Sequence, residues 1–299
     1  MLGRGINFGN ALDALTEHGF RPTEAHFDEV RRAGFDTVRL PVRWSGHAAT
    51  HPPYPIDSAF FDRVDRTVDR ALACGLNVVL NMHHYRELQS APEAHAARFL
   101  GLWRQIAPRY ASHPDRLHLE LLNEPCEALT PQRWNDLLAE ALAVVRHADP
   151  DRAVIVGPAS MNDVDALAEL RLPDDERLIV TVHYYRPLEF TTQGADWVPG
   201  AERWWGTSWG TAGDHAAVRA DLTAAAAWAA ARGRPLFVGE FGVYDKVDMA
   251  SRARWTAVVR TEVERLGASW AYWDFATDFG VFDVERHAWR TPLRQALLP

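Results

Sequence analysis

The segment LHLELLNEP (117–125) joins a short apolar run to a polar ending, Asn-Glu-Pro. The leucine-rich run predicts a buried β-strand. Seven other runs of the same kind lie along the chain, separated by segments with helical periodicity. They are GINFGN (5–10), TVRLPVRW (37–44), NVVLNMHH (77–84), AVIVGPAS (153–160), LIVTVHYY (178–185), PLFVGEFG (235–242) and ASWAYWDF (268–275).

This alternation of strands and helices continues along the whole chain and predicts an α/β protein. Eight strands, each followed by a helical segment, match a closed (β/α)8 TIM barrel. Helix signals support the assignment, such as Thr130-Pro131 at a predicted helix start and Gly75 just before a predicted strand. No Gly/Ser-rich linker and no change in composition divides the chain, so we expect residues 1–299 to form one barrel domain.

Polar residues gather at the carboxyl ends of seven of the eight predicted strands. In a TIM barrel that end carries the active site. A single strand-end Asn, Glu or His is more often a structural hydrogen-bonding residue or a helix cap, but the recurrence on seven strands favours a functional site. The polar and aromatic residues in question are Asn10, Arg39, Arg43, His83, His84, Asn123, Glu124, His183, Tyr184, Tyr185, Glu240, Trp273 and Asp274.

Three of these residues have informative neighbours. Arg39 lies within the apolar run VRLPV, where an unpaired buried guanidinium would be costly, so we expect a carboxylate partner. Glu240 is the natural candidate, and a structural acid elsewhere is the alternative. Glu124 precedes Pro125, which predicts an extended backbone that fixes the direction of the carboxyl group. The glycines around Glu240 would let a bulky ligand approach it, or would simply form a turn.

Composition excludes several other classes of function. Asp plus Glu number 40 against 32 Lys plus Arg, and the net charge of -8 gives no attraction to nucleic acid. No apolar run is long enough to cross a membrane. Cys74 and Cys126 are predicted to be free thiols. The thirteen histidines lack a ligand spacing such as H-E-x-x-H, so the sequence predicts no metal and no cofactor.

The sequence carries less information on cellular localisation and oligomeric state. The first residues contain no export signal, so we expect a cytoplasmic protein, or a secreted one if a leader has been removed. We also expect a monomer.

One motif lies on each of several predicted strands, in chain order. The two that matter most are ELLNEP (120–125) and VGEFG (238–242). With them, the chain resembles glycoside hydrolase family 5, and in particular its compact single-domain endoglucanases. The supporting matches are GINFGNALDA (5–14), VRLPVRW (38–44), NMHHY (81–85), VHYYRP (182–187), FTTQGADW (190–197) and WAYWDFATDFGVFD (270–283).

The resemblance implies a role for each matching residue. Glu124 would be the general acid/base and Glu240 the nucleophile of a retaining glycosidase, with Asn123 on the sugar 2-hydroxyl. Within the family pattern, Arg39 and Tyr185 would keep the nucleophile ionised, and His183 would adjoin the acid/base. Asn10, His83 and His84 would contact sugar hydroxyls, and Trp197 and Trp273 would stack on sugar rings.

Two further expectations concern the pKa values of the two acids and the residue at position 13. We expect Arg39 to keep Glu240 anionic, while this anion and partial burial raise the pKa of Glu124. Asp13 stands where close relatives carry Glu, and the shorter side chain leaves subsite specificity open.

The implied activity is endo-hydrolysis of β-1,4-glucan, including cellulose, carboxymethylcellulose, mixed-linkage glucan and glucomannan, with a β-linked oligo- or polysaccharide as the binding partner. A β-1,4-mannanase, a xyloglucanase, a β-1,3-glucanase or an exo-acting β-glucosidase on the same scaffold remains an alternative. A non-catalytic carbohydrate-binding barrel is a further one, although both carboxylates are present. A phosphate-binding barrel is disfavoured, because no Gly-rich phosphate loop follows the last strands.

Overall fold

The computed structural model describes residues 2–14 and 20–299. Eight parallel strands pair in chain order, and β8 closes the barrel onto β1. The predicted (β/α)8 barrel is therefore confirmed. The strands are β1 (Arg4–Asn7), β2 (Thr37–Val42), β3 (Asn77–Met82), β4 (Leu117–Glu120), β5 (Val154–Val156), β6 (Leu178–Tyr184), β7 (Leu236–Phe241) and β8 (Ser269–Tyr272).

Helices cover the outside of the barrel. The described α-helices are α1 (Glu24–Ala33), α2 (Ser58–Ala73), α3 (Arg86–Ser90), α4 (Pro92–Tyr110), α5 (Pro131–Ala148), α6 (Leu188–Thr191), α7 (Ala212–Ala230), α8 (Met249–Arg265) and α9 (Thr291–Leu297). Short 3-10 helices span Trp44–His47, Val164–Glu169 and Ala201–Trp204, and a small hairpin pairs β9 (Phe282–Asp283) with β10 (Ala288–Trp289). Among the helices in the described ranges, none has the length and apolar character of a membrane span.

The strands end earlier than the sequence patterns suggest, because their polar endings leave the hydrogen-bonded ladder. The predicted strand 117–125, for example, ends at Glu120. The residues that follow it form a loop at the carboxyl end of the barrel. Asn123 and Glu124 are therefore positioned by loop contacts, whereas His183 and Glu240 remain paired within β6 and β7.

The barrel interior changes from apolar to polar along the strands. Its lower layer packs Leu2, Val79, Ile155, Phe237 and Ala271. Because strand side chains alternate between faces, the residues two positions later also point inward. One of these inward positions, Asn81 after Val79, is buried and polar, and the strands beside it contribute the buried polar residues Asn7, Arg39 and Glu120. The polar layer forms the base of the candidate site described below.

Gly242, just after β7, gives a test of how tightly this end of the barrel is packed. A Cβ built there would overlap the carbonyl oxygen of Trp273. We expect Gly242→Ala to lower the free energy of unfolding by about 1–3 kcal/mol through overpacking, measured by urea denaturation.

Gly213 in α7 provides the matched control, since its added Cβ would lie an ordinary 3.6 Å from Thr211 Oγ1. We expect Gly213→Ala to be neutral or stabilising by about 0.4–1 kcal/mol. Equal unfolding free energies for the two variants would contradict the packing at Gly242.

Candidate active site

The guanidinium of Arg39 is buried at the centre of the polar layer, and all five of its N–H groups donate hydrogen bonds. Nε and Nη2 donate to the two oxygens of Glu120 at 2.7 and 2.8 Å. Nη1 donates to Glu240 Oε1 at 2.7 Å and to Asn7 Oδ1 at 2.9 Å. Nη2 also donates to Asn123 Oδ1 at 2.7 Å. The expected contact between Arg39 and Glu240 is present, and it is one part of a larger network.

Sequence reasoning missed two members of this network, Glu120 and Asn7. Both side chains are fully buried, and Glu120 shares the charge of Arg39 with Glu240. Asn7 Nδ2 also donates to the carbonyl oxygens of Gly239 and Tyr272. A signal existed for Glu120, because a charged residue inside an apolar strand needs a buried partner.

The carboxyl groups of Glu124 and Glu240 meet at His183. His183 Nδ1 lies 2.7 Å from Glu124 Oε1 and 3.6 Å from Glu240 Oε2. One oxygen of each carboxylate and a ring nitrogen of His183 lie within 4.8 Å of one another. Tyr185 donates its hydroxyl to Glu240 Oε2 at 2.9 Å. The structure thus brings the two acids together with the three neighbours expected for them, Arg39, Tyr185 and His183.

The charges around the two acids shift their pKa values in the opposite sense to our expectation. Burial raises the pKa of Glu124, but the hydrogen bond and charge of His183 outweigh burial and lower it. Burial raises the pKa of Glu240 above its usual range, and His183 and Arg39 offset this only in part. The expected directions were wrong because Arg39 also compensates Glu120 and because His183 contacts Glu124 directly.

The imidazole of His183 binds its proton more tightly than an ordinary histidine. Burial lowers its pKa, but the charges of Glu240 and Glu124 and the hydrogen bond to Glu124 raise it overall. A proton is therefore held at the His183–Glu124 hydrogen bond.

Glu124 does not have the extended backbone that the following proline predicts. Its φ is 48°, in the left-handed region, which costs about 1–3 kcal/mol for a residue other than glycine. Two hydrogen bonds hold this turn. Gln89 Nε2 donates to the carbonyl oxygen of Glu124 at 2.9 Å, and Met161 N donates to that of Pro125 at 3.1 Å. The direction of the carboxyl group is set by these contacts.

The loop after β5 also reaches the site, although no site residue is predicted on that strand. Ser160, Met161 and Asn162 have consecutive φ values of 62°, 61° and 56°. This left-handed turn places Asn162 Nδ2 at 3.3 Å from His183 Nε2. The backbone carbonyl oxygen of Asn162 also accepts a hydrogen bond from His183 N at 2.9 Å. No sequence pattern indicated this contact.

Gly239 makes room for a protein side chain. A Cβ at this position would lie 2.7 Å from Thr181 Oγ1 and 3.2 Å from His183 Nε2. We expected this glycine to let a ligand approach Glu240. The structure shows instead that the glycine leaves space for the side chains of Thr181 and His183.

A second cluster lies beside the carboxylates, at the ends of β1 and β3. His83 Nδ1 lies 2.8 Å from Asn81 Oδ1, and the His83 ring is parallel to Trp273 with centroids 5.7 Å apart. His84 packs edge-on against His83. Burial lowers the pKa of His83 far below its ordinary value, so its ring is neutral. Asp13 Oδ2 lies 3.5 Å from His84 Nε2 and 3.9 Å from His83 Nε2.

The remaining predicted residues lie further from the acids or have fewer contacts. Asn10 has a φ of 57°, and its side chain hydrogen-bonds to no residue in the described ranges. Trp197 is half exposed and packs edge-on against Tyr244 with centroids 4.7 Å apart. Phe279 lies between Trp197 and Tyr185, at 6.2 and 6.1 Å from their rings. Trp197 is therefore linked to the site through aromatic contacts.

Comparisons with known proteins identify a family and similar solved structures. The family model described as Cellulase (glycosyl hydrolase family 5) matches residues 5–278. Cel5A of Thermotoga maritima, solved in complex with cellobiose, is 46% identical with a TM-score of 0.97, over 99% of this chain and 97% of that chain. A complex of the same protein with mannotriose gives the same values.

The curated relatives are longer proteins. Endoglucanase H of Acetivibrio thermocellus is 32% identical over 99% of this chain and 33% of its own length. The chain likewise covers 35% of the Cellulase/esterase CelE of that organism. This chain thus spans about a third of the length of these two relatives.

The protonation of His183 can be tested by NMR titration of its imidazole. We expect its pKa to lie above the ordinary value of about 6.5 and to fall in Glu124→Gln, because that change removes an anion that raises it and leaves the opposing effect of burial.

His118 on β4 is the internal control, since burial lowers its pKa to about 4 and neither acid contributes to that shift. A His183 pKa that is unchanged by Glu124→Gln, or that starts below 6.5, would contradict the electrostatics described above.

Proposed function

The chain belongs to the cellulase family, glycosyl hydrolase family 5, and on that premise we propose that it is an endo-1,4-β-glucanase that cleaves with retention of configuration. We assign Glu124 as the general acid/base and Glu240 as the nucleophile. The observation that carries this assignment is the approach of these two carboxylates to within 4.8 Å at His183. Retaining glycosidases hold their carboxyl groups about 5–5.5 Å apart, and inverting ones about 6.5–9.5 Å.

The hydrogen bonds to Glu240 suit a nucleophile. Arg39 donates to one of its oxygens and Tyr185 to the other, so both stabilise the ionised form and fix its direction. In the first step Glu240 attacks the anomeric carbon while Glu124 protonates the departing glycosidic oxygen. In the second, Glu124 takes a proton from water, which displaces Glu240 from the sugar.

The proton on the His183–Glu124 hydrogen bond gives the first step its acid. The charge of Glu240 is the largest single effect that raises the pKa of His183. When Glu240 bonds to the sugar it loses its negative charge, so the pKa of His183 falls. We propose that the proton then moves through the 2.7 Å contact toward Glu124 and the leaving oxygen, so that attack and protonation are coupled.

The surrounding side chains suit a sugar substrate. Asn123 Oδ1 accepts from Arg39, so its Nδ2 is the group that remains to donate to a 2-hydroxyl. Such a bond lowers the barrier if it strengthens in the transition state. We propose that Trp273 and Trp197 stack on sugar rings, and that His83, His84 and Asn10 contact hydroxyl groups.

The proposed substrates are cellulose, carboxymethylcellulose, mixed-linkage glucan and glucomannan. Mannan is a second candidate, favoured by the mannotriose complex of the related Cel5A. Both β-1,4-linked polymers present the same scissile bond to the two acids.

The assignment is tested with Glu124→Ala and Glu240→Ala on carboxymethylcellulose, by reducing-sugar release and viscosity. We expect both variants to lose most activity, with a loss for Glu124→Ala of about 10²–10⁴-fold for removal of a general acid/base. Wild type should lower the viscosity before much sugar is released, and NMR should detect the β-anomer of the product first.

Glu127→Gln is the control, because this exposed acid lies close to Glu124 in sequence and should leave the rate unchanged. Full activity of Glu240→Ala, or initial release of the α-anomer, would overturn the proposed mechanism.

A further inference from the structure

A carboxylate–histidine cluster, formed by Asp13, His83 and His84, lies beside the proposed catalytic acids and has no part in their chemistry. The Asp13 side chain is fully buried, and within the described ranges neither of its oxygens accepts a hydrogen bond. A buried carboxylate without a partner is costly. We propose that this cluster binds a single divalent transition-metal ion of the zinc class, and that the bound ion competes with the glycan.

The donor atoms fit such an ion. Two imidazole nitrogens and one carboxylate oxygen form a ligand set that zinc accepts, with water in the remaining position. Tetrahedral ligands at about 2.1 Å from zinc lie about 3.4 Å from each other. The observed separations from Asp13 Oδ2 are 3.5 Å to His84 Nε2 and 3.9 Å to His83 Nε2, and one ligand atom of each residue lies within 4.8 Å of the others. Side-chain shifts of about an ångström would therefore complete the site.

The residues behind the ligands orient them as in metal sites. Asn81 Oδ1 accepts from His83 Nδ1 at 2.8 Å, which leaves the lone pair of Nε2 facing Asp13. Metal-binding histidines commonly use their other ring nitrogen in this way. The parallel ring of Trp273 fixes the plane of the His83 imidazole.

The other group of close ligand atoms, from Glu124, His183 and Glu240, is less suited to a cation. Arg39 donates to Glu240 at 2.7 Å, so an ion there would face a buried positive charge. His183 Nδ1 is also occupied by its contact with Glu124. Charge therefore favours the carboxylate–histidine cluster.

Metal binding at this cluster does not depend on the proposed hydrolysis, whereas its effect on kinetics rests on the proposed function. His83 and His84 would offer the same nitrogens to the ion and to sugar hydroxyls. Occupation by the ion should therefore exclude the glycan from this part of the cleft and raise KM, while kcat at saturating glycan stays unchanged.

Binding is measured with Co²⁺ by visible absorption and with Zn²⁺ by calorimetry, on the wild type, Asp13→Asn, His84→Gln and Glu124→Gln. We expect one ion per wild-type chain and at least tenfold weaker binding in Asp13→Asn and His84→Gln, since each removes a ligand. Glu124→Gln should bind as the wild type does. If Asp13→Asn fails to fold, His84→Gln decides, because that side chain is 34% exposed.

Inhibition by Zn²⁺ is then measured on soluble glucan. His113→Gln is the control, because His113 Nε2 also lies close to a carboxylate, Asp69, at 3.4 Å, but belongs to no described three-ligand group. We expect Zn²⁺ to inhibit His113→Gln as it inhibits the wild type, and not to inhibit His84→Gln. Absence of binding to the wild type, unchanged binding in His84→Gln, or loss of binding in Glu124→Gln would overturn the proposal. An inactive wild type that still binds the ion would refute only the proposed function.

Discussion

A buried cation at the centre of the barrel constrains most of the site. Arg39 is shielded from water, so each of its five N–H groups needs an acceptor, and four side chains from different parts of the chain provide them. Removing one partner of a buried ion pair typically costs about 3–5 kcal/mol. Glu120, Glu240, Asn7 and Asn123 are therefore held in one arrangement by the requirement to satisfy this guanidinium.

The same constraint explains the electrostatics of the two acids. Because Glu120 binds Arg39 through both oxygens, Glu240 receives one N–H group and part of the charge. Burial then raises the pKa of Glu240, while the contact with His183 lowers that of Glu124. In the proposed mechanism one acid must deliver a proton while the other attacks as an anion, and His183 holds that proton at its hydrogen bond to Glu124.

Much of the fold and part of the site could be predicted from sequence. Strand periodicity and polar strand endings predicted the barrel and the face on which Glu124 and Glu240 lie. The partners of those residues were harder to find, because Glu120 and Asn7 contact Arg39 through side chains on separate strands. The left-handed φ of Glu124 and the contact between Asn162 and His183 depend on loop hydrogen bonds, which local sequence rules do not describe. The same limit applies to the cluster of Asp13, His83 and His84, whose members come from the segments that follow β1 and β3.

The most direct test of the central role of Arg39 is the free energy of unfolding of Arg39→Lys, measured by urea denaturation beside the wild type. Lysine keeps the positive charge but has three donors instead of five in a different geometry, so at least two buried acceptors lose their hydrogen bonds. We predict a loss of at least about 2 kcal/mol, since each buried unsatisfied group costs about 1–3 kcal/mol. A variant as stable as the wild type would contradict the account, because the charge alone would then be sufficient to hold the site together.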